Sequence, residues 1–498
     1  MNKNANLYTS LSQGFPSDDN RTVIETPQGR TWSYRDLERK TARFAGLLAG
    51  LGIGKGERVA VLVEKSPEAL FLYLACLRAG ISYLPLNTAY QLPEIDYFLS
   101  DAEPKAIVCR PEAQDELLSL AERRGIRHVL TLGEAGEGTL PEQAKTQSPG
   151  FETVPCRAND TAAILYTSGT TGQPKGAMLT HGNLASNARI LQQFWRFTPS
   201  DTLLHALPLF HVHGLFVACH CVLISGAKMR LLPRFEAESV LAALPGSTVF
   251  MGVPTHYSRL LAEDTLNATA CATMRLFISG SAPLPENIFH AFRARTRHTI
   301  LERYGMTETL MNTSCPYDGE RKPGSAGPAL PGVSIRIVDP SPEGVGAIEI
   351  KGPNVFQGYW RQPEKTAEEF TPDGWFRTGD LGRLDGDDYL FIAGRGKELI
   401  ITGGYNVYPR EVERAIDAID GVRESAVIGL PDADFGERVT AVVVPEPEGQ
   451  VSSDGIIEAL KTAIANYKIP KQVLFADELP RNAMGKVQKN RLRERMDA

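Results

Sequence analysis

Ten consecutive residues constrain this chain more than any other stretch: Thr167-Ser168-Gly169-Thr170-Thr171-Gly172-Gln173-Pro174-Lys175-Gly176. Four hydroxyl residues, three glycines and a lysine share these positions. Glycine lets a backbone approach an anion closely, while hydroxyls, free N–H groups and an ammonium supply donors of the right charge. The apolar run Ala162-Ala163-Ile164-Leu165-Tyr166 before it reads as a buried strand. Leu184, Ala188, Leu191 and Trp195 after it recur like one face of a helix. A strand, a glycine-rich loop and a helix in that order predict an α/β layer whose loop cradles a polyphosphate. The spacing is not that of the P-loop NTPases.

The alternation extends on both sides. Residues 58–63 and 106–109 read as short buried strands, and residues 67–78 as a buried helix opened by Pro67 and stopped by Gly80. Strands separated by helices predict parallel α/β packing. Four glycines in residues 50–56 precede a strand rather than follow one, which makes a turn and not a dinucleotide site. Residues 133–150, polar with scattered Gly and Pro, are expected to form a surface loop. At 498 residues the chain exceeds what one hydrophobic core holds, so at least two domains are expected. A net charge of -6 without any Lys/Arg run argues against nucleic acid and anionic membranes. The most apolar stretch, residues 214–227, is too short to span a bilayer, which needs about 20 residues. Seven scattered cysteines give no disulfide framework, and the N-terminus lacks the features of a signal or transit peptide; a reducing cytoplasm fits.

Several clusters carry chemistry. His205, His211 and His213, followed by Cys219, His220 and Cys221, raise a zinc site, which the absence of ligand-pair spacing argues against. Ser279-Gly280-Ser281-Ala282-Pro283 is a small-residue turn after a strand, fit to admit a flat base. Glu302-Arg303-Tyr304-Gly305-Met306-Thr307-Glu308 groups a guanidinium, a ring, a hydroxyl and carboxylates, and Asp380 follows a tight turn. The pattern changes at residues 395–398, short, charged and glycine-flanked like a hinge. Beyond it, a helix carrying Val412, Ile416 and Ile419, two apolar strands and a helix carrying Ile457, Leu460 and Ile464 suffice for a small α+β domain. Its tail presents Lys486 on a turn. Residues 1–394, 395–398 and 399–498 are thus expected to be a large domain, a hinge and a small second domain.

Taken in order, these motifs resemble the acyl-adenylate-forming (AMP-binding) enzymes, and within them the malonyl-CoA synthetase subfamily. The resemblance spans nearly the whole chain. It implies a large N-terminal α/β domain with a small mobile α+β lid, and a reaction in two steps. A substrate carboxylate attacks the α-phosphorus of ATP to give acyl-AMP and pyrophosphate; the thiol of coenzyme A then displaces AMP. The nucleophile belongs to the substrate, so the protein's task is to neutralise phosphate charge and align reactants. The resemblance assigns Thr167, Ser168, Gly169, Thr170, Thr171, Gly172 and Lys175 to the β- and γ-phosphates, Thr307 to the α-phosphate and Glu308 to Mg²⁺. Tyr304 with the turn containing Gly280, Ser281 and Ala282 would flank adenine, and Asp380 and Arg395 would take the ribose hydroxyls. Lys486 would stabilise the charge of the first step, and Gly403, Gly404 and Tyr405 would reach the site for the second after rotation about Lys397. The tail also resembles a pattern acetylated on its lysine, which makes a lysine acetyltransferase an expected partner for Lys486.

A dicarboxylic acid such as malonate or methylmalonate keeps a second carboxylate after activation, and burying that charge unpaired is costly. Arg303 is the expected partner, Arg259 a second candidate, and Ser281 and His211 additional donors. The alternative for Arg303 is a structural salt bridge with an acid such as Glu302. The alternatives for the whole chain are another short-chain or aryl acyl-CoA synthetase, an enzyme that loads a carrier protein, and a non-catalytic nucleotide-binding protein.

Overall fold

The computed structural model describes residues 4–167, 174–402, 405–432, 435–447, 449–464, 466–482 and 485–496. Two large sheets face each other across the main apolar core. One has seven strands, with Arg58–Leu62 at its parallel centre and Thr161–Thr167 paired antiparallel to Lys175–Thr180 near one side. The other has eight, of which Thr202–His205, Val249–Gly252 and Leu276–Ser279 run parallel side by side. The helix Pro67–Ala79 belongs to this core, and all 13 of its residues are buried. Between Glu68 in its first turn and Arg78 in its last, its sequence is apolar all round, as suits a helix with no solvent face. Pro67 opens it, the Ser66 side chain caps it, and Gly80 ends it at φ 69°, a left-handed turn that suits glycine.

A four-stranded antiparallel sheet, with Phe376–Leu384 and Leu390–Arg395 as its last two strands, leads out of the large domain. The smaller C-terminal domain follows. The long strand Gly436–Pro445 forms the middle of its sheet, with Val422–Asp432 along one edge. Val412, Ile416, Ile456 and Leu460 pack on one face, and Leu479 and Leu492 on the other. The chain is therefore of the α/β class with a small second domain.

One expectation fails. Residues 133–150 are not all loop, because Thr139–Ala144 forms a short helix. Its Leu140 and Ala144 are buried in the main core, and two apolar residues four apart are enough to anchor a single turn and a half. No helix among the described residues is long and apolar enough to cross a membrane.

Candidate active site

Parallel strands of an α/β sheet deliver their ligand-binding residues at their carboxyl ends. Here His205, at the end of its own strand, pairs with Met251, while Gly252 pairs with Ser279 and Ser279 with Glu302 on the strand Leu301–Met306. That strand continues through Arg303 and Tyr304 to the turn carrying Thr307 and Glu308. It runs from one half of the site to the other.

The first half is a closed network. Asp380 and Arg395 are cross-strand partners, and Arg395 Nε lies 3.1 Å from Asp380 Oδ1. The Tyr304 hydroxyl donates to Asp380 Oδ2 at 2.5 Å, and Asp380 N–H donates to Thr378 Oγ1 at 3.0 Å. Glu308 is buried and accepts from Tyr359 at 3.1 Å and from Thr167 at 3.3 Å. Burial raises its pKa above the ordinary value. Lys175, on the strand that leaves the glycine-rich loop, stands 4.7 Å above the Tyr359 ring and 3.5 Å from Glu369. Ser168, Gly169, Thr170, Thr171 and Gly172 lie outside the described residues, as do Gly403 and Gly404; for Tyr405 only the backbone, in the strand Tyr405–Val407, is described.

Lys486 comes to this half from the C-terminal domain. Gly485 takes φ 74° and packs so closely on the large domain that a Cβ there would stand 2.9 Å from Thr255 Oγ1. Burial lowers the Lys486 pKa, helped by Arg395 and opposed by Asp380 and Glu398. The tail is braced by Asn482, which accepts from Lys486 N–H at 3.0 Å, and the domain by an ion pair between Arg414 and Glu286.

The second half is open in the hydrogen-bond sense. Arg303 is 4% exposed, yet its Nε and Nη2 have no partner among the described residues. The salt bridge to Glu302 does not form. Neighbouring residues on a strand point to opposite faces, and Glu302 accepts instead from Leu284 N–H at 2.9 Å, its carboxyl pushed up to about 7 by burial. Burial likewise lowers Arg303 to about 9. The guanidinium occupies the room left by Gly280, where a Cβ would stand 2.3 Å from its Cζ. Ser281, held at φ 71°, places its hydroxyl 3.3 Å from His213 Nδ1. His213 Nε2, Ser279 Oγ and His256 Nδ1 are also buried without partners among the described residues. Burial and the Arg303 charge hold His211 down to about 4 and His213 well below its usual value, so both rings are neutral.

The structure thus gathers Arg303, Ser281 and His211 and adds His213, which the sequence offered only as half of a His-x-His pair. Arg259 is not part of this group. It is exposed on the helix Pro254–Leu261, whose Tyr257 and Leu260 face the core and leave position 259 outward.

A chain with this two-domain α/β architecture and these motifs is an AMP-binding enzyme. Residues 13–360 match the AMP-binding enzyme family and residues 411–486 its C-terminal domain. The chain belongs to that family, and its class is that of the acid–thiol ligases. Among solved structures, ATP-bound MatB from Rhodopseudomonas palustris superposes with a TM-score of 0.96 at 53% identity, covering 99% of both chains. A mitochondrial malonate–CoA ligase of Mus musculus is 36% identical over 92% of this chain and 86% of its own length. A feruloyl-CoA synthase of Amycolatopsis is also 36% identical, over 94% of each. Overall similarity therefore settles the chemistry and not the acid.

Proposed function

We propose that this protein joins malonate to coenzyme A at the expense of ATP, through malonyl-AMP, and that methylmalonate is the next best substrate. The observation that carries this reading is the buried Arg303 guanidinium, whose Nε and Nη2 have no partner among the described residues. Leaving buried charged donors unpaired costs several kcal/mol, on the order of 3–5, so the arrangement makes sense when an anion completes it. A carboxylate matches a guanidinium fork in two parallel hydrogen bonds. His213 and Ser281, neutral donors at its side, fit the same guest. The far end of ferulate carries a neutral phenol and methoxy group rather than an anion, which weighs against the feruloyl alternative.

In the first step the reacting carboxylate attacks the α-phosphorus and pyrophosphate leaves. On this reading Lys486 neutralises the developing charge, and Thr307 holds the α-phosphate. Lys175 and the glycine-rich loop hold the departing phosphates, and Asp380 and Arg395 exchange their mutual contact for the ribose. Glu308 fits Mg²⁺: it is a single buried carboxylate beside a threonine hydroxyl, and magnesium takes few protein oxygens when phosphates supply the rest. Bound there, the ion supplies charge neutralisation at the phosphates. In the second step the thiol sulfur bonds to the acyl carbon, AMP leaves with the bonding pair and the thiol proton passes to solvent. Lid rotation about residues 395–398, bringing residues 403–405 to the site, is part of this proposal, as are the boundaries at 394 and 399. Acetylation of Lys486 would remove the charge on which the first step depends, and the seven cysteines, all free and buried, suit a reducing cytoplasm.

A panel of malonate, methylmalonate, propionate and ferulate, with AMP and pyrophosphate release followed, tests the assignment. Malonate is expected to give the highest kcat/KM; ferulate or propionate in first place overturns it.

A further inference from the structure

On the far side of the segment that carries His211 and His213 lies a second cluster that the proposed reaction leaves unused. Lys65 follows the central strand Arg58–Leu62 and reaches across to the other sheet. Its Nζ donates to His205 Nδ1 at 2.9 Å and to the His205 carbonyl at 2.9 Å. His205 Nε2 is 2.9 Å from the Gly214 carbonyl. Cys219 Sγ approaches the same carbonyl at 3.2 Å. Among the described residues no carboxylate joins the cluster; neighbouring Glu64 is exposed and pairs with Arg110 at 3.7 Å. The group therefore does not have the form of an ion pair that only holds the fold.

Its geometry has a consequence for the segment between His205 and Gly214. An imidazole that accepts at Nδ1 carries its proton at Nε2, which then donates to Gly214. That bond closes a loop of eight residues between the two ends, and the closure is tight. A Cβ on Gly214 would stand 2.0 Å from the Pro208 carbonyl oxygen, so only glycine lets the chain return here. Within the loop, His213 N–H donates to His211 Nδ1 at 3.3 Å, and Leu215 N–H donates to the His211 carbonyl at 2.9 Å. The closure therefore fixes the two rings that stand beside Arg303 and Ser281. With Lys65 removed, the opposite tautomer becomes accessible and turns a lone pair of Nε2 on the Gly214 oxygen.

We propose that Lys65 is a positioning residue for the acid pocket, acting through the His205 tautomer and the Gly214 carbonyl to hold His211 and His213 against the far carboxylate of a diacid. The proposal rests on the diacid reading of Arg303. Burial lowers Lys65 to about 7, and the relay tolerates either state, since a neutral amine keeps two N–H groups, one for each bond. Lys65 also lines a cavity of about 180 Å³ with Thr88, Leu209 and Phe210, so water can reach the vacated Nδ1 once the amine is gone.

The test is the Michaelis constant for malonate and for propionate in full-length wild type, Lys65→Met, His205→Asn, His205→Gln and the Lys65→Met/His205→Gln pair, with folding followed by melting temperature. Lys65→Met is expected to raise the malonate KM about tenfold, the scale of one lost hydrogen bond of 1–1.5 kcal/mol, with kcat and the propionate KM unchanged. His205→Asn, which keeps an acceptor for Lys65 but cannot reach Gly214, should do the same. His205→Gln places an amide donor where Nε2 stood, so it should behave like wild type and make Lys65→Met harmless in the double variant. A merely structural Lys65 would move both acids together, and a Lys65 touching substrate would remain harmful in the His205→Gln background. Either result overturns the relay, as does an unchanged malonate KM in His205→Asn should Lys65→Met not fold. A wild type that prefers propionate removes the diacid reading and the relay with it; a malonate-selective wild type with unaltered variants removes the relay alone.

Discussion

The two halves of the site, both on the strand Leu301–Met306, treat their polar atoms in opposite ways. At the nucleotide end, Tyr304, Asp380 and Arg395 satisfy one another, and Glu308 is held by Thr167 and Tyr359. At the acid end, Arg303, His213, Ser279 and His256 keep buried donors or acceptors with no partner among the described residues. A network that is complete without its ligand costs little to maintain, because its members trade one polar partner for another on binding. An unfinished one is destabilising until the right guest arrives, and so discriminates by the penalty of leaving it unfinished. On the proposed reading, the shared chemistry belongs to the satisfied half, and the choice of acid to the unsatisfied half.

A large effect is expected in the nucleotide half, at Lys486. Lys486→Gln should lower malonyl-AMP formation about 10²–10³-fold, the scale of losing one preorganised electrostatic contact, yet leave thioester formation from supplied malonyl-AMP near wild type. Pyrophosphate exchange and acyl-transfer assays separate the two; equal losses in both would break the division of labour.

pH sharpens the comparison next. Arg303, lowered by burial to about 9, must be cationic to bind a carboxylate. Its proton leaves as pH climbs through that value, so kcat/KM for malonate should fall about tenfold per unit above 9, while ATP affinity shows no break there. Stability runs the other way. A base whose folded pKa lies below its unfolded value destabilises the fold at lower pH; the penalty is full below about 9 and is relieved progressively as pH rises above it.

Gly280→Ala forces the guanidinium away from its place and should raise the malonate KM about tenfold, one hydrogen bond's worth, with the ATP KM within twofold. Equal effects on both substrates would mean that the turn serves the adenine. The smallest effect is on stability. Arg303→Met removes an unpaired buried charge and keeps the volume, so its melting temperature should equal or exceed that of wild type. A clear drop would mean that Arg303 is a structural partner after all.

Much of the fold was legible because each element is locally consistent. The helix Pro67–Ala79 shows its proline, apolar run and terminal glycine in sequence, and the strands flanking the glycine-rich loop are short apolar runs. The helix Thr139–Ala144 was not, since two buried residues in a polar window give no periodic signal. For the site, the residue types were readable and their partners were not. Glu302 beside Arg303 suggests a salt bridge until the strand's alternation sends them to opposite faces. Arg259 looked available, although the apolar spacing of Tyr257 and Leu260 already turned it outward. Lys65 and His205 stand 140 residues apart and meet only because two sheets close on each other; nothing local announces that.

The ratio of kcat/KM for malonate to that for propionate, in wild type and in Arg303→Met, tests the central claim most directly. A site built to bond a charged group rejects the analogue lacking it by about 10⁴-fold. Wild type should therefore favour malonate by about that factor, and the variant should bring the ratio to within about tenfold of unity. An unchanged ratio in Arg303→Met would contradict the assignment of acid choice to this half of the site.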